Sequence, residues 1–330
     1  MKIYPCLTPT GYALFLLGLI TAPVLGVYPV FVMKFLCLAL YASAFNLLIG
    51  YAGLLSFGHA AFLGGSAYVA GYAMKTWGVE PEIALLGGTA FGALLGAIFG
   101  LLAIRRQGIY FAMVTLALAQ MVFFLALQSK ATGGEDGLQG VPRGKIFGML
   151  DLSNDVTLYY VVLVIVVFAF LFISRLLGSP FGQVLGCIRE NSARATSLGY
   201  DVDRVKLLVY VISAALSGLA GSLKALVLGF ATLADVHWST SGQVILITLL
   251  GGMGTLSGPL MGAAIVTFLN DRLEATGEFL KNLTSIAWFG MLGQYTTLIS
   301  GFIFVICVLA FRRGVMGELI SLANRRRRTH

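Results

Sequence analysis

Residues 50–56 read Gly50-Tyr51-Ala52-Gly53-Leu54-Leu55-Ser56, and residues 251–257 read Gly251-Gly252-Met253-Gly254-Thr255-Leu256-Ser257. Both are G-x-x-G-x-L-S, and each interrupts a long apolar stretch. Glycines that break membrane helices at corresponding places in two halves of a chain point to a transporter built from internal repeats, with its pathway at the breaks. Coincidence is the competing explanation, because the chain holds 41 glycines and glycine also marks plain helix packing in membranes.

The composition around these motifs fixes the class. Of the 330 residues, 58% are hydrophobic and only 11% charged, where a soluble domain carries about 25% charge. The mean hydropathy is +0.91. A spanning helix needs about 20 mainly apolar residues, and such runs fill 11–32, 35–52, 55–74, 83–104, 109–128, 156–177, 207–229 and 286–311. The first run is read as a retained helix rather than a signal peptide, since it has only Lys2 ahead of it and no clear small-x-small cleavage site. The stretch 243–270 differs: two apolar limbs, about nine and thirteen residues long, flank Gly251–Pro259, and neither can cross alone. The expected architecture is an all-α polytopic membrane protein, one domain over 1–330, with eight full transmembrane helices plus a re-entrant half-helix pair.

Charge sets the expected orientation, because cytoplasmic loops carry the Lys/Arg excess. Most of the 22 cations fall at the N-terminus, in the turn 105–106, in the loop 175–206 and in the tail from 312, and most of the 14 acids fall in the other loops. Both termini are therefore expected in the cytoplasm. That parity holds only if 243–270 dips in from outside and returns. It also puts the first glycine motif on the inner side and the second on the outer side, as in inverted repeats.

The loop at about 178–206 is the longest polar stretch on the cytoplasmic side. Ser179-Pro180 reads as an N-cap and first helical position, and Gly199 after Leu198 as a C-cap signal. Two short amphipathic helices are expected at the membrane surface, serving as a connector, as a lipid-surface element or as a docking element for a cytoplasmic partner.

Ser179-Pro180-Phe181-Gly182, Ile188-Arg189-Glu190-Asn191, Ala193 to Gly199 and Arg204-Val205-Lys206 together resemble the coupling loop of bacterial ABC-importer permeases, specifically the branched-chain amino-acid permease family (LivH/LivM type, LivM-like). The resemblance extends through Asn46 to Phe62 and Gly251 to Ala263, and covers roughly 35–311. It implies the inverted-repeat ABC-importer permease fold. It also implies that Phe181, Gly182, Ile188, Arg189, Glu190, Asn191, Ala193, Ala195, Leu198 and Gly199 form the ATPase-coupling loop. The pathway would be lined by Asn46, Gly50, Gly53, Ser56, His59, Gly251, Gly254, Thr255, Ser257 and Pro259. The implied partners are cytoplasmic ABC ATPase subunits, a second permease subunit (the same or a related chain) and a periplasmic or extracellular substrate-binding protein, in the bacterial inner membrane. The implied substrates are branched-chain amino acids, with urea or short amides as the alternative. The sequence departs from the family's pattern at the polar segment Glu274–Ser285, at Lys224 inside a span, and at Asp235-Val236-His237-Trp238 on the outer approach to the second motif.

Several chemistries are absent. No G-x-x-x-x-G-K-[ST] occurs, so the chain is expected to be no enzyme and to hold no cofactor, with ATP and Mg bound by the partner. There is no H-E-x-x-H, no G-x-S-x-G and no pair of intramembrane aspartates. Cys6, Cys37, Cys187 and Cys307 are too dispersed for a metal site. The near-absence of ionisable groups in the spans argues against the other class considered, a stand-alone ion-coupled carrier or channel. His59 is expected to be a hydrogen-bonded packing residue, with a proton or metal role as the alternative, and Lys224 either to snorkel or cap a carbonyl or to attract a substrate carboxylate. Asp235, His237 and Trp238 are either a contact for an external binding protein or an interfacial anchor. Arg325 to Arg328 read as an orientation signal touching anionic lipid, and no nucleic-acid partner is expected.

Overall fold

The computed structural model describes residues 9–23, 25–146, 148, 150–284, 301–302 and 314–318. The predicted span 286–311 lies almost wholly outside them, as does the Arg325–Arg328 run.

The described chain is a helical bundle. Its helices are α1 (Pro9–Thr21), α2 (Pro29–Asn46), α3 (His59–Thr76), α4 (Pro81–Ala103), α5 (Ile109–Gln128), α6 (Asp155–Gly178), α7 (Pro180–Glu190), α8 (Ser192–Ser197), α9 (Val202–Leu228), α10 (Leu233–Val236), α11 (Trp238–Gly251) and α12 (Gly258–Thr284). Two small antiparallel pairs sit between them: β1 (Leu138–Gln139) on β4 (Phe230–Ala231), and β2 (Lys145–Ile146) on β3 (Leu150–Asp151). Pro29 and Pro81 open α2 and α4, where a missing N–H costs nothing. Asn154 caps α6 through Val156 N–H, and Asp201 caps α9 through Arg204 N–H, which starts α9 five residues before the apolar run.

Among the described residues, five helices are long and apolar enough to cross a membrane: α2 with its extension to Ala52, α4, α5, α6 and α9. They divide by burial. The apolar windows of α2 and α9 are 83% and 67% buried, while those of α4, α5 and α6 are 33%, 28% and 39% buried. Helices apolar on every side yet largely uncovered belong against lipid. Leu86, Leu101, Met113, Leu125 and Phe168 form such an exposed belt. The chain is a multi-pass membrane protein with α2 and α9 at its centre.

Packing around α9 rests on small residues. Gly88, Gly92, Gly96 and Gly100 fall one turn apart along α4 and face α9. A Cβ on Gly92 would sit 2.8 Å from Ala214 O and 3.0 Å from Gly218 Cα. On the other side of α9, a Cβ on Gly221 would come within 3.0 Å of the Leu63 Cα and closer still to its carbonyl. Without a hydrophobic force between helices in lipid, close backbone approach supplies the dispersion energy that holds them.

Two span expectations are corrected. The run 11–32 is not one helix: α1 ends at Thr21, and the chain turns through Gly26 (φ +77°) before α2 starts at Pro29. The prolines at 23 and 29 forbid the continuous ladder. The second limb of 243–270 is not a thirteen-residue half-helix, because α12 runs 27 residues, about 40 Å. The polar segment after Asn270 carries Arg272 and Glu274 with Leu273 and Ala275, all strong helix formers, so polarity ends the apolar run without ending the helix. The first limb, α11, is short at 14 residues. Ile247 meets Gly262 and Gly251 meets Gly258, so α11 and α12 form an antiparallel pair around the break 252–257.

Candidate functional site

The two glycine motifs meet face to face. After Asn46, α2 continues as a π-helical turn, Leu47–Ala52, that ends on Gly53 in the left-handed conformation (φ +72°). Irregular turns of this kind concentrate at functional positions. Opposite it, Gly252 (φ +115°) and Gly254 (φ +75°) carry the chain from α11 to α12. Buried Asn46 joins them: its Nδ2 donates to Thr255 O at 2.9 Å, and Gly254 N–H donates to its Oδ1 at 2.9 Å. A Cβ on Gly50 would lie 2.7 Å from Gly254 N. Groups hydrogen-bonded to one side chain cannot lie on opposite sides of a core about 30 Å thick. The expectation of one motif inside and one outside is thereby corrected: both breaks share one level.

Breaking helices within a bilayer orphans backbone amides, and neighbouring hydroxyls must satisfy them. Ser241 Oγ accepts from Ala60 N–H at 2.8 Å and donates to Phe57 O at 2.7 Å. Thr115 Oγ1 accepts from Phe57 N–H at 3.1 Å. Ser56 Oγ accepts from Gly58 N–H at 3.1 Å and lies 3.3 Å from the Tyr210 hydroxyl. Thr255 Oγ1 accepts from Gly258 N–H at 3.0 Å, capping α12 ahead of Pro259, and donates to Gly252 O. Ser257 Oγ is buried without a hydrogen-bond partner among the described residues.

His59 is fully buried between Phe45, Phe62 and Tyr210, each ring edge-on to it. The Ser213 hydroxyl donates to Ala44 O at 2.6 Å, so its oxygen accepts from His59 Nε2–H at 2.9 Å. That fixes the tautomer and leaves Nδ1 without a partner among the described residues. The packing role expected of His59 matches this geometry. The sequence reading missed Ser213, Tyr210, Ser241 and Thr115. Their signal was hydroxyls inside apolar helices opposite a predicted break.

The polar loop folds as expected into two short helices, α7 and α8, joined at Asn191, whose Oδ1 accepts from Arg194 N–H. Leu198 ends α8 and Gly199 follows at φ +88°. The candidate loop residues separate into two sets. Gly182, Ile188 and Ala195 are buried with Leu185, and a Cβ on Gly182 would run into the backbone of Leu177. They anchor the loop, so they are corrected from partner contacts to supports. Glu190, Asn191, Ala193, Leu198 and Gly199 are exposed, Phe181 is half-buried, and Leu198 and Tyr200 show large side chains outward. Arg189 turns the other way: its guanidinium donates to Gly50 O and lies beside Gly254, and its stem lies by Gly53.

At the far end of α9, Lys224 pairs with Asp235. The other carboxylate oxygen of Asp235 accepts from Thr232 N–H and Oγ1, closing a capping box on α10. Asp235 is therefore buried and spent, which corrects its candidacy as a docking contact. His237 caps α11 by accepting from Ser239 N–H and packs on Phe123, while Trp238 remains exposed. Removing one partner strands the other charge, so Asp235→Ala should cost about 2 kcal/mol. That would read as a lowered melting temperature in detergent, partly restored by adding Lys224→Met. An unchanged melting temperature in Asp235→Ala would refute the pair's contribution.

The family described as branched-chain amino acid transport system / permease component matches residues 30–308. The permease protein LivM of a high-affinity branched-chain amino acid transport system from Salmonella typhimurium is 29% identical over 262 residues, covering 71% of this chain and 60% of that protein. Its Escherichia coli counterpart matches equally. The ribose import permease protein RbsC of Bacillus subtilis is 27% identical over 261 residues, covering 75% of this chain and 73% of that protein. The match thus spans about six-tenths of the LivM relatives' length. No solved structure matches.

Proposed function

The chain belongs to the branched-chain amino-acid permease family, and on that premise we propose that it is the membrane subunit of an ATP-driven importer. The carrying observation is the loop: α7 and α8 are fixed to the bundle by buried Gly182, Leu185, Ile188 and Ala195, yet present Ala193, Leu198 and Tyr200 outward at the end where both glycine breaks lie. An anchored loop with an apolar exposed face suits a groove on a cytoplasmic ATPase. ATP and Mg bind that partner, and its closure pushes the loop and rocks the helices. A second permease subunit completes the pathway, and a substrate-loaded binding protein docks at the opposite end, near Trp238. Both termini lie in the cytoplasm, and the α11–α12 pair enters and leaves from outside. Single cysteines at 272–284 should then react with an impermeant reagent from the periplasmic face, and reaction only from the cytoplasm would reverse this orientation.

The substrate reading follows the LivM likeness: leucine, isoleucine and valine. The RbsC likeness, with its fuller coverage, supports a small sugar as the second reading; urea or short amides remain a third. Uptake of labelled leucine, ribose and urea in a deletion strain separates them. The partner reading is tested at the loop. Leu198→Glu should leave the folded protein in the membrane but cut ATPase co-purification about tenfold, equivalent to about 1.4 kcal/mol. Undiminished co-purification would refute the exposed face as the contact.

A further inference from the structure

We propose that Arg189 is the transmission contact of this permease: a positioning residue that clamps the two glycine breaks together and releases them when α7 moves. This rests on reading the 178–206 loop as the ATPase contact. The geometry is specific. The π-helical turn leaves helix-end carbonyls, of which Leu48 O takes both Gly53 N–H and Leu54 N–H, and Gly50 O takes the Arg189 guanidinium. A cation at a helix C-terminus meets the negative end of the dipole, and a charge-assisted bond is about twice as strong as a neutral one. The same guanidinium lies where a Cβ on Gly254 would be 3.2 Å from its Nη1, and the Arg189 stem covers Gly53. One side chain from the loop thus bonds the first break and lies beside the second. A side chain at 254 would crowd the guanidinium, so glycine there leaves room for it.

The loop's anchorage makes Arg189 a lever arm. Gly182 bears on the Leu177 backbone at the end of α6 and acts as the pivot. Arg189 lies seven residues along α7, about 10 Å away. Tilting α7 by about 10° about that pivot displaces Arg189 by about 2 Å, enough to carry the donor beyond hydrogen-bond range. Asn46 would then be the main polar tie left between the breaks. A push on the exposed face of the loop is converted into freedom of the two breaks to part.

The test uses the full chain with Cys6, Cys37, Cys187 and Cys307 replaced, carrying Leu54→Cys, a buried position beside the clamp. In membrane vesicles, Arg189→Gln should raise labelling by an impermeant maleimide from the loop's side at least about fivefold, with Arg189→Lys intermediate. In proteoliposomes with the ATPase and binding protein, Arg189→Gln should keep ATPase in the complex while uptake per ATP falls about tenfold. Unchanged labelling together with unchanged uptake per ATP would overturn the clamp. Lost ATPase with unchanged labelling would also overturn it, making Arg189 a plain docking contact. If Arg189→Gln yields no monodisperse protein, Arg189→Lys carries the labelling comparison, and a rise of about twofold supports the clamp while none overturns it. Failure of the wild-type chain to retain any ATPase would refute the functional reading alone, since the labelling arm needs no partner.

Discussion

Gly254→Leu should abolish uptake while the protein still reaches the membrane in near-normal amount. Residue 254 sits at φ +75°, where any L side chain pays about 1 kcal/mol or more. Its Cβ would already lie 3.2 Å from Gly50 O and 3.2 Å from the Arg189 guanidinium, so the rest of a leucine side chain has nowhere to go but between the breaks. Forcing them apart strips Asn46 of Gly254 N–H and Thr255 O and strands buried polar groups. Together these bias the local conformation by about 3 kcal/mol, more than a hundredfold in population. The damage is local because the bulk of the core lies around α2 and α9. The measurement is uptake normalised to protein in the membrane. Gly254→Ala should show a smaller loss, and a leucine variant retaining half the wild-type uptake would disprove the junction's importance.

Gly221→Leu should instead remove the folded protein. This glycine packs on the Leu63 backbone, with no flexible side chain in between to give way. A Cβ there would overlap the Leu63 carbonyl, so α3 and α9 must separate along their length. Overpacking a close helix contact costs about 1–3 kcal/mol for a well-placed methylene and more when backbone must move, so about 4 kcal/mol is expected here. Monodisperse protein recovered in detergent should fall at least about tenfold. Gly87→Leu is the control, because a Cβ at 87 meets nothing within 4 Å. Equal recovery of both variants would refute the assignment of α9's small residues to close packing. The contrast between Gly254 and Gly221 separates glycines that shape the break from glycines that build the bundle.

The sequence alone determined the class, because burying a chain of 58% hydrophobic and 11% charged residues needs a lipid solvent. It also determined the lipid-facing helices to within a few residues, since apolar run length and proline placement are local properties: 83–104 became α4, 109–128 became α5 and 156–177 became α6. The loop's two helices were legible for the same reason, through Pro180 at a helix start and Gly199 past a helix end. It marked both glycine breaks as special. It did not reveal that they touch, because Asn46 and Gly254 are 208 residues apart and no local pattern encodes their meeting. Burial likewise sorted the loop: Ala195 and Leu198 look alike in a helical pattern, yet one is buried and the other outward. The length of α12 escaped because polarity ends a membrane segment without ending a helix. Tertiary structure also paired Lys224 with Asp235, turning two apparent departures into one satisfied contact. Sequence sets what each segment can bury and where its ladder must stop. Which orphaned carbonyl receives Arg189, and which backbones come close enough to need glycine, is decided only when distant segments compete for the same space.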